Sequence, residues 1–150
     1  MLKHKGVQHV DHVDLDGDVT EVCKKHFPWG NAWSDSRSKL CIEDGAAFVA
    51  KAEDASYDVI IQDSSDPWIA GEDGEMMPLP SGVLYEEEHI CELYRILKPN
   101  GILNIQVRDF FKTPVICDDN RRGNIKQPSQ SIVDMLYFSN SRIFFFQFVG

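Results

Sequence analysis

Apolar segments of two different periods alternate along the first 107 residues, and this alternation constrains the fold more than any other feature. Short apolar runs predict strands over 9–16, 39–44, 57–63 and 102–107. Apolar residues at helical spacing predict helices over 18–27, 46–52 and 85–98. Because parallel neighbours need crossover connections, this order gives a parallel sheet covered by helices. The predicted fold class is α/β.

The segment after Arg108 carries weaker signals. Residues 131–138 predict a helix, and the apolar run 142–149 predicts a strand. A strand at the end of a chain is an aggregation-prone edge unless it is paired inside the sheet. We therefore expect the natural domain to continue past Gly150.

Composition limits the classes of partner. The 150 residues suit one domain, and the formal net charge of -9 argues against nucleic acid and fits cationic ligands. No apolar run reaches the roughly 20 residues that cross a bilayer, and MLKHKGVQHVDH lacks the apolar part of a secretory signal. The scattered cysteines predict neither a zinc site nor a disulfide framework; they are Cys23, Cys41, Cys91 and Cys117. We expect a soluble, cytoplasmic protein without a metal or a membrane partner.

Acidic residues follow each of the first three predicted strands. Ligands of parallel α/β sheets bind at the carboxyl ends of the strands, so these residues are candidates for a site. Asp14 or Asp16 could accept hydrogen bonds from ribose hydroxyls, or could cap the next helix. Asp44, before Gly45, could accept from the amino group of a purine, or could cap a helix after an Asp-Gly turn. Spacing alone leaves both alternatives open.

Asp63 and Asp66 follow the third predicted strand in the segment DSSDP. A structural turn accounts for the serines and the proline, but it does not account for two negative charges. If the ligand is a diamine, two carboxylates can hold its ammonium group. One of them can also remove a proton, which an amine with a pKa of about 10.4 needs before it can act as a nucleophile.

Four segments resemble, in order and spacing, the polyamine aminopropyltransferases of the spermidine and spermine synthase type. They are HVDLD, EDGAAFV, YDVIIQDSSDP and LYEEEHICELYRILKPNGILNIQ. The resemblance is clear over residues 2–106 and weak over 107–150. It implies a Rossmann-like, methyltransferase-type sheet and transfer of an aminopropyl group from decarboxylated S-adenosylmethionine to an amine such as putrescine. Methylthioadenosine is released, and no cofactor or metal is implied beyond this co-substrate.

The resemblance also implies roles for particular residues. Asp63 matches the family's catalytic proton acceptor, and Asp66 matches its partner in holding the amine. Asp14 falls where the family binds the ribose, and Asp44 with Gly45 where it contacts the adenine. Tyr85 and Gln106 fall near positions that line the substrate channel.

The chain departs from the family pattern in three places. It lacks the first strand and the glycine-rich loop that precede this region in the family, so we expect a sheet without its central strand and a fragment with impaired activity. A homo-oligomer is expected only for a full-length parent. The loop after Pro67 is longer than in spermidine synthases, and we interpret its Trp68, Met76, Met77 and Leu79 as an exposed insertion in preference to lid contacts. Arg108 adds a cation near a site meant for cations.

Two other functions remain open at this point. The first is a small-molecule methyltransferase that uses S-adenosylmethionine, which shares the sheet and the acidic ribose contact. A ring of carboxylates suits the carboxylate of that donor poorly. The second is a catalytically inactive homologue that regulates an active aminopropyltransferase, which the missing glycine-rich loop favours.

Overall fold

The computed structural model describes residues 1–27 and 33–105 in full and residues 141–148 as backbone. Its strands are β1 (Val7–Asp14), β2 (Ser38–Ile42), β3 (Tyr57–Ser64), β4 (Trp68–Ala70), β5 (Met76–Pro78), β6 (Leu97–Ile105) and β7 (Ser141–Phe148). Its helices are α1 (Gly17–His26), α2 (Gly45–Lys51) and α3 (Glu87–Ile96), with a 3₁₀ helix at Pro80–Tyr85. The α/β class is confirmed, and the predicted helix 131–138 lies outside the described residues.

Five parallel strands form the main sheet in the order β2-β1-β7-β3-β6. Strand β7 pairs with β1 on one side and with β3 on the other, with Phe146 opposite both Val13 and Gln62. The central position that we expected to be empty is therefore occupied by the C-terminal strand. Because β7 supplies hydrogen-bonding partners to both neighbours, the cost of burying unpaired backbone groups is avoided there.

Helices α2 and α3 cover one face of this sheet. Val49 of α2 and Leu93 and Ile96 of α3 are fully buried in one apolar cluster with Val13 of β1 and Ile60 of β3. Each such side chain contributes about 1.5–3 kcal/mol through removal from water. Packing against the sheet thus fixes the two helices whose first turns face its carboxyl edge.

The junction between α3 and β6 differs from the predicted helix end. The helix ends at Ile96, and Leu97, which lies within the predicted helix 85–98, is the first residue of β6. Asn100 has a φ of 66°, which a side-chain-bearing residue adopts at a cost. A Cβ at Gly101 would lie 2.6 Å from Leu97 Cδ1 and 3.0 Å from the Asp58 carbonyl oxygen. Glycine is therefore required where β6 approaches β3.

Arg95 joins α3 to the end of α2. Its guanidinium donates to the carbonyl oxygens of Val49 and Ala52, at 2.8 Å each, and to the Asp54 carboxylate at 2.7 Å. The last carbonyls of a helix lack intrahelical partners, and a cation is favoured at that end of the helix dipole. This contact sets the position of α2, and with it Asp44 at the helix start.

The loop after Pro67 forms a hairpin, a detail that the prediction of an exposed insertion did not include. Strands β4 and β5 pair antiparallel, and the Leu79 N–H donates to the Pro67 carbonyl at 2.8 Å at its base. Trp68, Met76 and Met77 are exposed, which agrees with an exposed insertion. The hairpin leaves the sheet directly after the predicted amine-binding segment.

The cysteines depart from the sequence expectation. Cys23 and Cys41 are free, but Cys91 of α3 takes part in a disulfide bond. Cysteine spacing does not indicate such a bond, because partners distant in sequence meet only in the folded chain. Separately, none of the helices described in the structure is long and apolar enough to span a membrane.

Candidate active site

The carboxyl ends of β1, β2 and β3 lie along one edge of the sheet, because the three strands run parallel. Asp14 ends β1, Asp44 follows β2, and Asp63 is the second-last residue of β3. One strand separates β1 from β3, so Asp14 and Asp63 stand about 10 Å apart across the sheet. The predicted acidic residues therefore share one edge, as the sequence indicates.

Asp63 and Asp66 flank a short loop at the end of β3. Asp63 is half-buried and Asp66 is exposed. Ser81, itself buried, donates its hydroxyl to the Asp66 carbonyl at 2.9 Å, which ties the loop to the 3₁₀ helix. The backbone of the loop is thus held at the carboxyl edge of the sheet.

Tyr85 lies beside this loop. Its hydroxyl accepts a hydrogen bond from Ser64 Oγ at 2.9 Å and faces the carbonyl oxygens of Ser64 and Ser65 at 3.2 and 3.0 Å. Burial raises the pKa of Tyr85, the bond from Ser64 opposes this, and the negative charges of Asp66 and Asp63 raise it further. The phenol is therefore neutral at pH 7 and within reach of the charges of both carboxylates. Its role in lining the substrate channel stays a prediction.

Asp14 and Asp16 have different roles in the structure. Asp16 caps α1, accepting from the N–H groups of Asp18 at 2.8 Å and Val19 at 3.3 Å. Asp14 is almost fully buried and accepts from the Asp16 N–H at 2.9 Å. Burial raises its pKa, and the hydrogen bond from Asp16 lowers it by less. Asp16 therefore serves as the cap, and the ribose contact implied for Asp14 stays a prediction.

Asp44 and Gly45 begin α2. The Asp44 side chain accepts from the Ala47 N–H at 2.7 Å, so the capping alternative is realised. Gly45 is buried behind it, whereas Asp44 is exposed at the edge. The adenine contact implied for this pair stays a prediction. The same holds for Gln106, which lies outside the described residues.

Sequence reasoning missed a buried polar pair beneath this edge. His89 Nε2 lies 3.1 Å from Gln62 Oε1, and Gln62 Nε2 donates to the Leu84 carbonyl at 2.9 Å. Two signals could have found the pair: an amide inside the apolar run VIIQD, and a histidine at helical spacing with the buried Leu93. Both signals are common in proteins without such a contact, and the structure was needed to pair them.

A cavity of about 350 Å³ lies elsewhere, next to the last turn of α2. Its lining includes Asp11, Lys39, Phe48, Lys51 and Tyr57, and it contains none of the predicted site residues. In residues 1–27 and 33–105, no group of three or more His, Cys, Asp or Glu side chains is placed to hold a metal ion. The candidate site is thus an open acidic edge of the sheet.

These features define a Rossmann-like α/β protein whose acidic carboxyl edge suits a ligand with positive charge. The chain belongs to the spermine/spermidine synthase family, whose domain matches residues 1–140. It is 39% identical over 107 residues to a polyamine aminopropyltransferase of Prochlorococcus marinus (strain MIT 9313), covering 70% of this chain and 34% of that protein. Polyamine aminopropyltransferases of Pseudomonas syringae pv. tomato and Stenotrophomonas maltophilia are 40% and 36% identical, covering 71% and 69% of this chain and 34% and 33% of theirs. The chain spans about a third of the length of these relatives.

Proposed function

We propose that this site transfers an aminopropyl group from decarboxylated S-adenosylmethionine to an amine such as putrescine, in polyamine biosynthesis. The observation that carries the proposal is the pair Asp63 and Asp66 at the carboxyl end of β3, beside a neutral Tyr85. The negative charges of both carboxylates reach this phenol, and a cation is attracted to such a pair. The family membership of residues 1–140 supports the same reaction.

The proposed reaction is a direct displacement. Asp66 holds an ammonium group of the acceptor, and Asp63 takes a proton from the reacting nitrogen. The nitrogen lone pair then forms a bond to the propyl carbon next to the sulfonium, the carbon–sulfur bond breaks, and its electron pair stays on sulfur as neutral methylthioadenosine. Since the sulfonium already activates the carbon, the protein chiefly aligns and deprotonates the amine.

The donor is proposed to lie along the edge from β3 towards β2. In this arrangement Asp14 accepts from the ribose hydroxyls, and Asp44 with Gly45 contacts the adenine. Tyr85 and Gln106 line the channel for the amine. The donor is a co-substrate, and no cofactor is invoked. Because the expected glycine-rich loop is not among these residues, we propose that the 150-residue chain has impaired turnover.

The presence or absence of a carboxylate on the donor distinguishes this proposal from a methyltransferase. S-adenosylmethionine carries a carboxylate that decarboxylated S-adenosylmethionine lacks, and an acidic edge repels it. We expect calorimetric titration of the chain to give a Kd for decarboxylated S-adenosylmethionine that is about tenfold lower than the Kd for S-adenosylmethionine. This difference corresponds to about 1.4 kcal/mol of binding free energy. Adenosine, which lacks both the amine tail and the carboxylate, is the control. Equal or tighter binding of S-adenosylmethionine would favour the methyltransferase instead.

A further inference from the structure

A buried polar pair lies directly beneath the acidic edge. His89, in the first turn of α3, is 7% exposed, and Gln62 of β3 is 1% exposed. Gln62 Nε2 donates to the Leu84 carbonyl, so its Oε1 is the atom that faces His89 Nε2. Because each polar atom of this chain of bonds needs a partner when buried, the amide is fixed in one orientation.

The protonation state of His89 follows from these contacts. An amide oxygen only accepts, so the imidazole carries its proton on Nε2. Burial lowers the pKa of His89 to about 4, while the nearby charges of Asp44 and Glu92 raise it by less. His89 is thus a neutral donor at pH 7 and adds no positive charge next to a site for cations.

The pair connects the two segments that carry the candidate site. Gln62 precedes Asp63 on β3, and Leu84 precedes Tyr85 at the end of the 3₁₀ helix. Tyr85 in turn is bonded to Ser64, between the two aspartates. The bond from Gln62 and the bond from Ser64 therefore hold the same two segments together at successive positions.

We propose that His89 is a positioning residue, which orients Gln62 so that the 3₁₀ helix holds Tyr85 and the loop from Asp63 to Asp66 in the arrangement that binds the amine. This inference rests on the proposed function for the identity of the ligand. Its alternative is a polar pair that only fills the core. The two differ when the pair is replaced by apolar side chains of similar size. Such a replacement leaves no polar atom of Gln62 or His89 unsatisfied, but it gives up the bond that holds the Leu84 carbonyl.

Four variants of the 150-residue chain separate positioning from stability. His89→Leu leaves the Gln62 oxygen without its donor, and His89→Gln supplies an amide N–H at a similar reach. The double variant Q62L/H89L replaces the pair with apolar side chains. His26→Gln, at the exposed end of α1, is the matched control. Each is measured by thermal unfolding and by calorimetric titration with putrescine.

The inference predicts that affinity and stability separate. We expect the Kd for putrescine to rise about tenfold in H89L, to stay within about threefold of wild type in H89Q, and to be unchanged in H26Q. In Q62L/H89L we expect a melting temperature above that of H89L, because only the Leu84 carbonyl has lost its donor, with the Kd still raised about tenfold. Recovery of both melting temperature and affinity in the double variant would overturn the inference, because a merely structural pair behaves in that way.

A second readout does not depend on the amine. In carbon NMR of the ring, Tyr85 is expected to titrate above its ordinary pKa of 10.0 in wild type and H89Q. It should titrate closer to that value in H89L and Q62L/H89L, since a released Tyr85 is better solvated. An unchanged Tyr85 titration in all variants would overturn the positioning role. Absence of putrescine binding by the wild-type chain would overturn the proposed function alone, and Tyr85 would then decide the positioning role.

Discussion

Asp14 shows how a candidate binding residue carries a cost for the fold. The residue is 2% exposed, and burial raises the pKa of its carboxyl group despite the hydrogen bond from the Asp16 N–H. A raised pKa means that the folded state disfavours the charged form. The charge on Asp14 therefore opposes folding at pH values above its pKa in the folded chain, and the penalty disappears below the ordinary value of 3.8.

Asp14→Asn removes this charge and keeps an oxygen for the Asp16 N–H. We expect D14N to have a larger free energy of unfolding than wild type at pH 7. The difference should vanish below pH 3.8, where the Asp14 carboxyl group of wild type is protonated in both the folded and the unfolded chain. Urea unfolding at the two pH values measures this. Asp16→Ala is the contrasting variant, because loss of the α1 cap should cost about 1 kcal/mol at pH 7. A less stable D14N at pH 7 would refute the assigned cost of burial.

A local sequence signal narrows the role of a residue to a few alternatives, and contacts in the folded chain are needed to choose among them. The spacing left Asp14 and Asp16 as alternatives, and the cap hydrogen bonds to Asp18 and Val19 distinguish them. The pairing of Gln62 with His89 joins residues 27 positions apart in the chain. No local pattern specifies which buried donor meets which buried acceptor over that distance.

Elements with a strong period were also predictable, whereas short irregular ones were not. Strand β3, predicted over 57–63, is observed at Tyr57–Ser64, and α2, predicted over 46–52, at Gly45–Lys51. The hairpin of β4 and β5 has only three exposed residues in each strand, so it shows no alternation to detect. Leu15, predicted at the end of the first strand, lies outside β1 and is 46% exposed.

Strand β7 provides the test at the scale of an element. Phe145 pairs with His12 of β1 and with Ile61 of β3, so its backbone lies between two neighbours. Proline has no N–H and is not tolerated in a central strand. We expect Phe145→Pro to abolish cooperative thermal unfolding, whereas Phe145→Leu, which keeps the N–H, still unfolds cooperatively. Wild-type unfolding of F145P would show that β7 is not a central strand in solution.

For the whole molecule, the class of the sheet was predictable but the order of its strands was not. Strands in sequence order suggest neighbours, and the resemblance implied a central strand that precedes these residues. The position is instead filled by β7, which lies outside the matched residues 1–140. Strand order depends on pairing between segments that are distant in the sequence. The apolar run at 142–149 predicts a strand, but it does not indicate which strands pair with it.

The net charge of -9 attracts cations to the whole molecule. The proposed function requires carboxylates at one particular place on its surface. Long-range attraction is screened over about 8 Å at physiological ionic strength. A specific amine site therefore depends on Asp63 and Asp66 in particular. The hairpin also carries two acidic residues, the exposed Glu72 and Asp73. Neutralising them removes the same charge as neutralising Asp63 and Asp66, and so gives a charge-matched control.

The most direct test is a calorimetric titration of putrescine into the wild-type chain, D63N/D66N and E72Q/D73N. The titration is done at about 0.15 M salt, at which the interactions between distant charges are screened. We expect D63N/D66N to raise the Kd at least about tenfold and E72Q/D73N to leave it unchanged. Equal losses of affinity in the two double variants, or no effect in either, would contradict an amine site at the carboxyl end of β3.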